Sequence, residues 1–220
     1  MLDESDDLQI NNLPNLLTIF RMALIPVVVL CLHFSALENE VFEGSNSLLG
    51  WTAGWIFALA SITDFFDGYI ARKRNIVTVF GSFLDPIADK FLTVSSLIML
   101  QALDRLPAVI VIVLVLREMY MTSLRLLALN EGVNVPVNQI GKWKTAIGMV
   151  GIPLLMANEN WNGLPLPLIG SILIYITSIL SLWSAIHYTF NMVTSLKKKR
   201  LFKKLRKGKK NSDEGEANSH

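Results

Sequence analysis

The sequence predicts an all-α polytopic membrane protein with six transmembrane helices. Three observations predict it. Of the 220 residues, 52% are hydrophobic and only 17% charged, an apolar excess over the usual soluble domain. Two runs, 44–63 and 167–196, carry no formal charge beyond one that His187 would gain on protonation. Each is long enough to cross ~30 Å of hydrocarbon. The segments between apolar runs alternate in charge along the chain, the pattern expected where successive loops lie on opposite sides of a bilayer.

Residues 1–11 form an acidic N-terminal segment (Asp3, Glu4, Asp6, Asp7) where a secretory signal would be basic. No small-residue cleavage pattern follows, so the first helix, near 15–34, is expected to be retained. It contains Cys31, the single cysteine, which excludes an internal disulfide and reads as a packing residue. Segment 35–47 is acidic, with Glu38, Glu40 and Glu43. A second helix is expected over 48–71, followed by Arg72, Lys73 and Arg74 in 72–83. The third, 84–104, runs into a nearly neutral turn at 102–106. Pro107 opens the fourth, 107–129, at a position where a missing amide proton costs little. Lys142 and Lys144 mark segment 130–144, ahead of a fifth helix over 145–158. Segment 159–166 has no basic residue, and Pro167 precedes the sixth helix, 168–193.

The membrane domain is thus 12–196, followed by a tail, 197–220. Half of the 20 basic residues lie in 197–210, and the polar, low-complexity stretch 211–220 is expected to be disordered. By the positive-inside rule both termini and the Arg72 and Lys142 loops are cytoplasmic. Beside a helix exit the basic run is expected to rest on anionic membrane lipids, at about 1 kcal/mol per residue. Nucleic acid is the less favoured partner. Trp51, Trp55 and Trp161 fall near the predicted outer surface and Trp143 near the inner one, as interfacial anchors would. Gly148-x2-Gly151 and the small residues of the second helix suit helix packing, within the chain or in a homodimer.

Acidic residues at or inside a membrane helix are costly and usually face a polar cavity. Asp64 and Asp67 fall at the cytoplasmic end of the second helix, ~60° apart around its axis, and Asp85 and Asp89 at the start of the third, ~40° apart. If 72–83 turns back sharply, the two pairs converge on the cytoplasmic side. Four converging carboxylates repel unless cations or protons intervene. Two divalent ions meet that need, and an oxygen-only set without nearby Cys or His favours Mg²⁺ or Mn²⁺ (or Ca²⁺) over zinc. Such ions polarise a diphosphate and stabilise its departing half. Gly68 and Ala71 leave room for a bulky ligand near the backbone, and Arg72 suits a phosphate.

The pattern Asp64-x2-Asp67-Gly68-x2-Ala71-Arg72-x8-Gly81-x3-Asp85-x3-Asp89 resembles the signature of the CDP-alcohol phosphotransferases, with every fixed position matched. Further segments are similar to the branch of that family that makes phosphatidylglycerol phosphate: 12–21, 81–90, Arg117-Glu118 leading to Ser123-Leu124-Arg125, and 141–145. Together they cover roughly 12–150. One departure is Gly148, where that branch has glutamine. The resemblance implies an enzyme of the bacterial inner membrane that transfers a phosphatidyl group from CDP-diacylglycerol to glycerol 3-phosphate. It implies metal ligation by Asp64, Asp67 and Asp85, with Asp89 as general base near the second metal. It also implies contacts from Asn15, Thr18, Gly68, Arg72 and Thr78 to the CDP headgroup, with Ala71 and Gly81 completing that surface.

For the acceptor, Arg117 and Arg125 stand ~80° apart on a helix, with Lys142 and Lys144 in the next cytoplasmic segment. Such a cluster suits a phosphorylated alcohol. The alternatives are that Arg117 pairs with Glu118 or with a backbone carbonyl on another helix, and that the lysines only mark the cytoplasmic side. The signature itself leaves other acceptors open: inositol phosphate, serine or phosphatidylglycerol. A cation-coupled carrier is the reading from another class, disfavoured because neither repeated halves nor interrupted helices are evident.

Overall fold

The computed structural model describes residues 13–41, 48–74, 79–132 and 139–217, with side chains at 16–37, 48–63, 87–88, 90–132, 141 and 143–199. It is all-α apart from one small hairpin. The helices are α1 (Leu13–Val41), α2 (Leu48–Arg74), α3 (Val79–Ala102), α4 (Ala108–Asn130), α5 (Gln139–Ala157) and α6 (Leu166–Ala217). Strands β1 (Asn160–Trp161) and β2 (Leu164–Pro165) pair antiparallel between α5 and α6.

Every expected helix is present, and two start earlier than hydropathy places them. α3 begins at Val79 and α5 at Gln139; in α5 the early polar residues Gln139 and Lys142 lower hydropathy without opposing the helix. The largest correction is at the C-terminus. α6 continues unbroken to Ala217, so 211–217, expected to be disordered, is helical. Once a long helix exists, each added residue gains a hydrogen bond without a new nucleation cost, and polar composition alone does not end it.

Alternating direction puts the C-terminal end of α2, the N-terminal ends of α1, α3 and α5, and the C-terminal end of α4 together at one end of the bundle. The hairpin marks the other. Packing runs in a cyclic order, α1–α2–α5–α6–α4–α3 and back to α1, with α5 and α6 the most intimate pair. Small residues make that pair possible. A Cβ on Gly170 would lie 2.9 Å from Leu155 Cγ and 3.1 Å from the Gly151 carbonyl oxygen, and one on Gly151 would lie 3.1 Å from Leu173 Cβ. Gly148 faces Thr177 of α6, and Gly54 of α2 lies against the Pro153 backbone of α5. These glycines are therefore consumed by contacts inside the chain.

The main apolar core fills the hairpin half of the bundle, around Leu32, Phe57, Leu92, Leu100, Leu155 and Ile174. A smaller cluster, Met121, Ala128, Ala185, Tyr188 and Met192, joins α4 to α6 toward the opposite end. Outward faces are apolar too, with Leu30, Leu59, Ile98, Leu116, Val150 and Ile186 all exposed. Apolar surface on every helix is what lipid contact requires and what water disfavours. Among the described residues, Leu16–Leu37 and Leu166–Lys199 are long and apolar enough to cross a membrane, while Leu48–Thr63, Lys90–Ala102 and Trp143–Ala157 are shorter apolar stretches.

The hairpin end is tied down by polar contacts. Its turn, Asn162 (φ 47°) and Gly163 (φ 81°), is the Asn-Gly sequence that left-handed backbone at both positions favours. Trp51 packs edge-to-face on Trp161 with ring centroids 6.3 Å apart and donates from Nε1 to Glu159 Oε2 at 2.9 Å. Arg105, in the α3–α4 turn, donates to the carbonyls of Leu155 (3.2 Å) and Met156 (2.7 Å), capping α5. Burial lowers its pKa from the ordinary arginine value, yet an arginine stays charged at any working pH.

Candidate active site

The four aspartates stand on helical backbone at the end opposite the hairpin. Asp64, Asp67, Gly68, Ala71 and Arg72 belong to the last turns of α2, and Gly81, Asp85 and Asp89 to the first turns of α3. Helical spacing keeps each acidic pair on one side of its helix. Between Arg74 and Val79 the chain spans at most ~18 Å even if fully extended, so the two helix ends stay close. The side chains of these residues, and of Asn15 and Lys142, lie outside the described ones, as does the whole of Thr78. The donor set itself suits a hard divalent cation: four carboxylates and no softer ligand. Among the described residues, no cluster of His, Cys, Asp or Glu offers a competing metal site.

Near the N-terminal end of α1, at the same end of the bundle, are Thr18 and Arg21, each only 2% exposed. Burying an arginine at this depth is costly unless its guanidinium is compensated. Lys90 follows Asp89 directly and donates from Nζ to Thr122 Oγ1 on α4, while Thr122 donates to the Glu118 carbonyl at 2.8 Å. This link fixes the helix that carries Asp89 against the helix that carries Arg117.

The described part of the site is a charged knot joining α4, α5 and α6. Arg117 is 6% exposed; its Nε donates to the Ser181 carbonyl at 3.0 Å and its Nη1 to Glu118 Oε1 at 2.7 Å. The same Glu118 Oε1 accepts from Lys144 Nζ of α5. Arg125, exposed and two turns beyond Arg117, is close enough to act electrostatically on both Arg117 and Lys144. Both contacts weighed for Arg117 from the sequence, to Glu118 and to a carbonyl on another helix, are thus present at once. They coexist with a cluster of three cations. One carboxylate among three cations leaves a net positive, partly buried surface, suited chemically to a phosphate.

Of the residues singled out in the sequence, the structure brings Arg117, Arg125 and Lys144 into one cluster and puts the aspartate positions at the same end of the bundle. Sequence reasoning gave no role to Arg21, Lys90, Thr122 or Ser181, and to Glu118 only that of a pairing partner for Arg117. Glu118 carried a signal all the same, an acid beside an arginine within an apolar run. Ser181 had none, because its part is played by a backbone carbonyl.

Comparison with known proteins gives the family of the chain. The chain matches the family described as CDP-alcohol phosphatidyltransferase over residues 11–183, which takes in α1 through most of the apolar length of α6. It is 38% identical over 178 residues to a CDP-diacylglycerol--glycerol-3-phosphate 3-phosphatidyltransferase of Rickettsia felis, covering 80% of this chain and 93% of that one. Bacillus subtilis has a protein of the same description, 38% identical over 180 residues (81% and 89% covered). So has Haemophilus influenzae, 36% identical over 184 residues (80% and 91%).

Proposed function

The chain belongs to the CDP-alcohol phosphatidyltransferase family, and from that membership we propose that it makes phosphatidylglycerol phosphate and CMP from CDP-diacylglycerol and glycerol 3-phosphate. The observation that carries the choice of acceptor is the cluster of Arg117, Arg125 and Lys144 at the same end as the aspartates. A phosphorylated alcohol needs such cations, whereas serine does not. The description shared by the three relatives, each aligned over about four fifths of this chain, supports the same acceptor.

In this reading all six helices span the bacterial inner membrane, with both termini and the site on the cytoplasmic side, where the water-soluble acceptor meets a lipid donor. Asp64, Asp67, Asp85 and Asp89 would hold two Mg²⁺ or Mn²⁺ ions. When bound, such ions supply electrostatic stabilisation to the diphosphate and to the leaving CMP. Asn15, Thr18, Gly68, Ala71, Arg72, Thr78 and Gly81 form the surface for the CDP headgroup. Arg117, Arg125, Lys142 and Lys144 hold the acceptor phosphate and aim its hydroxyl. Asp89 takes the hydroxyl proton as the alcohol oxygen bonds to the phosphatidyl phosphorus. The bond from that phosphorus to the CMP oxygen breaks, and CMP departs. The basic tail rests on anionic lipids, and a homodimer would form through exposed apolar faces, since the glycines are engaged internally.

The test is purified protein offered one CDP-lipid and a panel of alcohols, with CMP release measured. Release is expected with glycerol 3-phosphate and a divalent ion. Release with inositol phosphate, serine or phosphatidylglycerol in its place would reassign the acceptor, and cation flux without CMP release would remove the enzyme.

A further inference from the structure

Arg117 and Lys144 sit on different helices and carry like charge, yet their donors meet at a single oxygen, Glu118 Oε1. Two cations this close, one on α4 and one on α5, repel across a partly buried gap where screening is weak. Glu118 is the group that holds them together. Its own side chain is 32% exposed, against 5% for Arg117 and 12% for Lys144, so it is the most accessible member of the knot. Its backbone carbonyl receives the Thr122 hydroxyl, which is also the acceptor for Lys90, so its turn of α4 is fixed to α3 next to Asp89.

We propose that Glu118 is the positioning residue of the acceptor-phosphate site, a carboxylate that gathers Arg117 and Lys144 into one pocket and sets the charge it presents. This rests on the function proposed above and extends it to a residue outside the cation set. Among the described side chains, Arg117, Arg125 and Lys144 against the single carboxylate of Glu118 leave the cluster net positive, as a phosphate requires. Without the carboxylate one more unit of charge would attract the phosphate at long range. Arg117 and Lys144 would then repel at contact distance with nothing between them, and the contact term dominates because it is the less screened of the two. Glu118 makes no bond to the reacting atoms and works through the cations it orients.

The experiment compares wild type, Glu118→Gln and Glu118→Asp, purified in the same detergent, varying glycerol 3-phosphate and CDP-diacylglycerol separately. Glu118→Gln is expected to raise the acceptor KM about tenfold, leaving kcat and the CDP-lipid KM within about twofold. Glu118→Asp, which keeps the charge on a shorter arm, is expected to recover most of that loss, to about threefold. A merely structural carboxylate would move both KM values together or lower kcat alone, and either result overturns the proposal, as does an unchanged acceptor KM in Glu118→Gln. If Glu118→Gln does not purify as a folded protein, Glu118→Asp decides: a selective rise in acceptor KM supports the role, and none overturns it. Failure of the acceptor assignment is distinguishable, because wild type itself would then release no CMP with glycerol 3-phosphate, and the proposal would fall with it.

Discussion

Arg117 makes two contacts of different kinds, and shortening it should be felt in two ways. Its Nε holds a carbonyl on α6 and its Nη1 a carboxylate on its own helix. Arg117→Ala loses the first outright, which costs about 2 kcal/mol for a hydrogen bond to a charged group, read as a lowered unfolding temperature. It is also expected to raise the acceptor KM more than the CDP-lipid KM. Equal increases in both would mark an arginine that only braces α4 against α6. Asp89 belongs to the other half of the site, and Asp89→Asn keeps the size of the side chain while removing its basicity. Binding of the CDP-lipid should survive, with turnover reduced by two to four orders of magnitude, roughly the range of general-base contributions. Turnover near wild type, measured as CMP release under saturating substrates, would take the proton-accepting role from Asp89.

The element that organises the bundle is α5, wedged between α2 and α6 by residues that lack bulk. Gly170→Ala puts a methyl 2.9 Å from Leu155 Cγ and 3.1 Å from backbone atoms of α5, so the helices must separate. Overpacking of this kind costs typically 1–3 kcal/mol. Gly163→Ala meets nothing within 4 Å, but its φ of +81° strains any L side chain, at roughly 1–2 kcal/mol confined to the hairpin. Thermal unfolding in detergent is expected to fall for both variants, with CMP release reduced only for Gly170→Ala, since α5 also carries Lys144. If activity drops equally in the two, the hairpin matters to the site in a way its distance along the bundle does not explain. Gly148 fits the same logic, with its Cβ position 3.4 Å from Thr177 Cγ2.

For the molecule as a whole, the decisive quantity is orientation. Cysteines introduced one at a time into a Cys31→Ser background, at Gly163 in the hairpin turn and at Ser212 near the C-terminus, should react with a membrane-impermeant thiol reagent from opposite sides of sealed vesicles. Labelling of both from one side would mean that α6 does not cross the bilayer and would refute the six-span topology. The length of α6 bears on the same question. At 1.5 Å per residue its 52 residues reach about 78 Å, far more than the ~30 Å of hydrocarbon. Its C-terminal part therefore extends well outside the bilayer.

The helices and the residues of the signature were legible in the sequence because both are local. An apolar run of membrane length, a loop's excess of lysine or the spacing Asp64-x2-Asp67 is written in consecutive residues. The Asn162-Gly163 turn is equally local. Only the tertiary structure could decide that α5 and α6 meet through Gly151 and Gly170, or that α6 runs on to Ala217. It alone could show one Glu118 oxygen joining Arg117 to Lys144, and Arg117 reaching the Ser181 carbonyl. Those contacts span from 26 to 64 positions along the chain where they cross between helices. Their partners include a backbone atom that every residue type carries, so the sequence offers such contacts as alternatives without saying which are made. The sequence by itself determined which chemistry the chain brings to the membrane; the fold decided which charges stand together, because proximity between helices is set by packing and not by order along the chain.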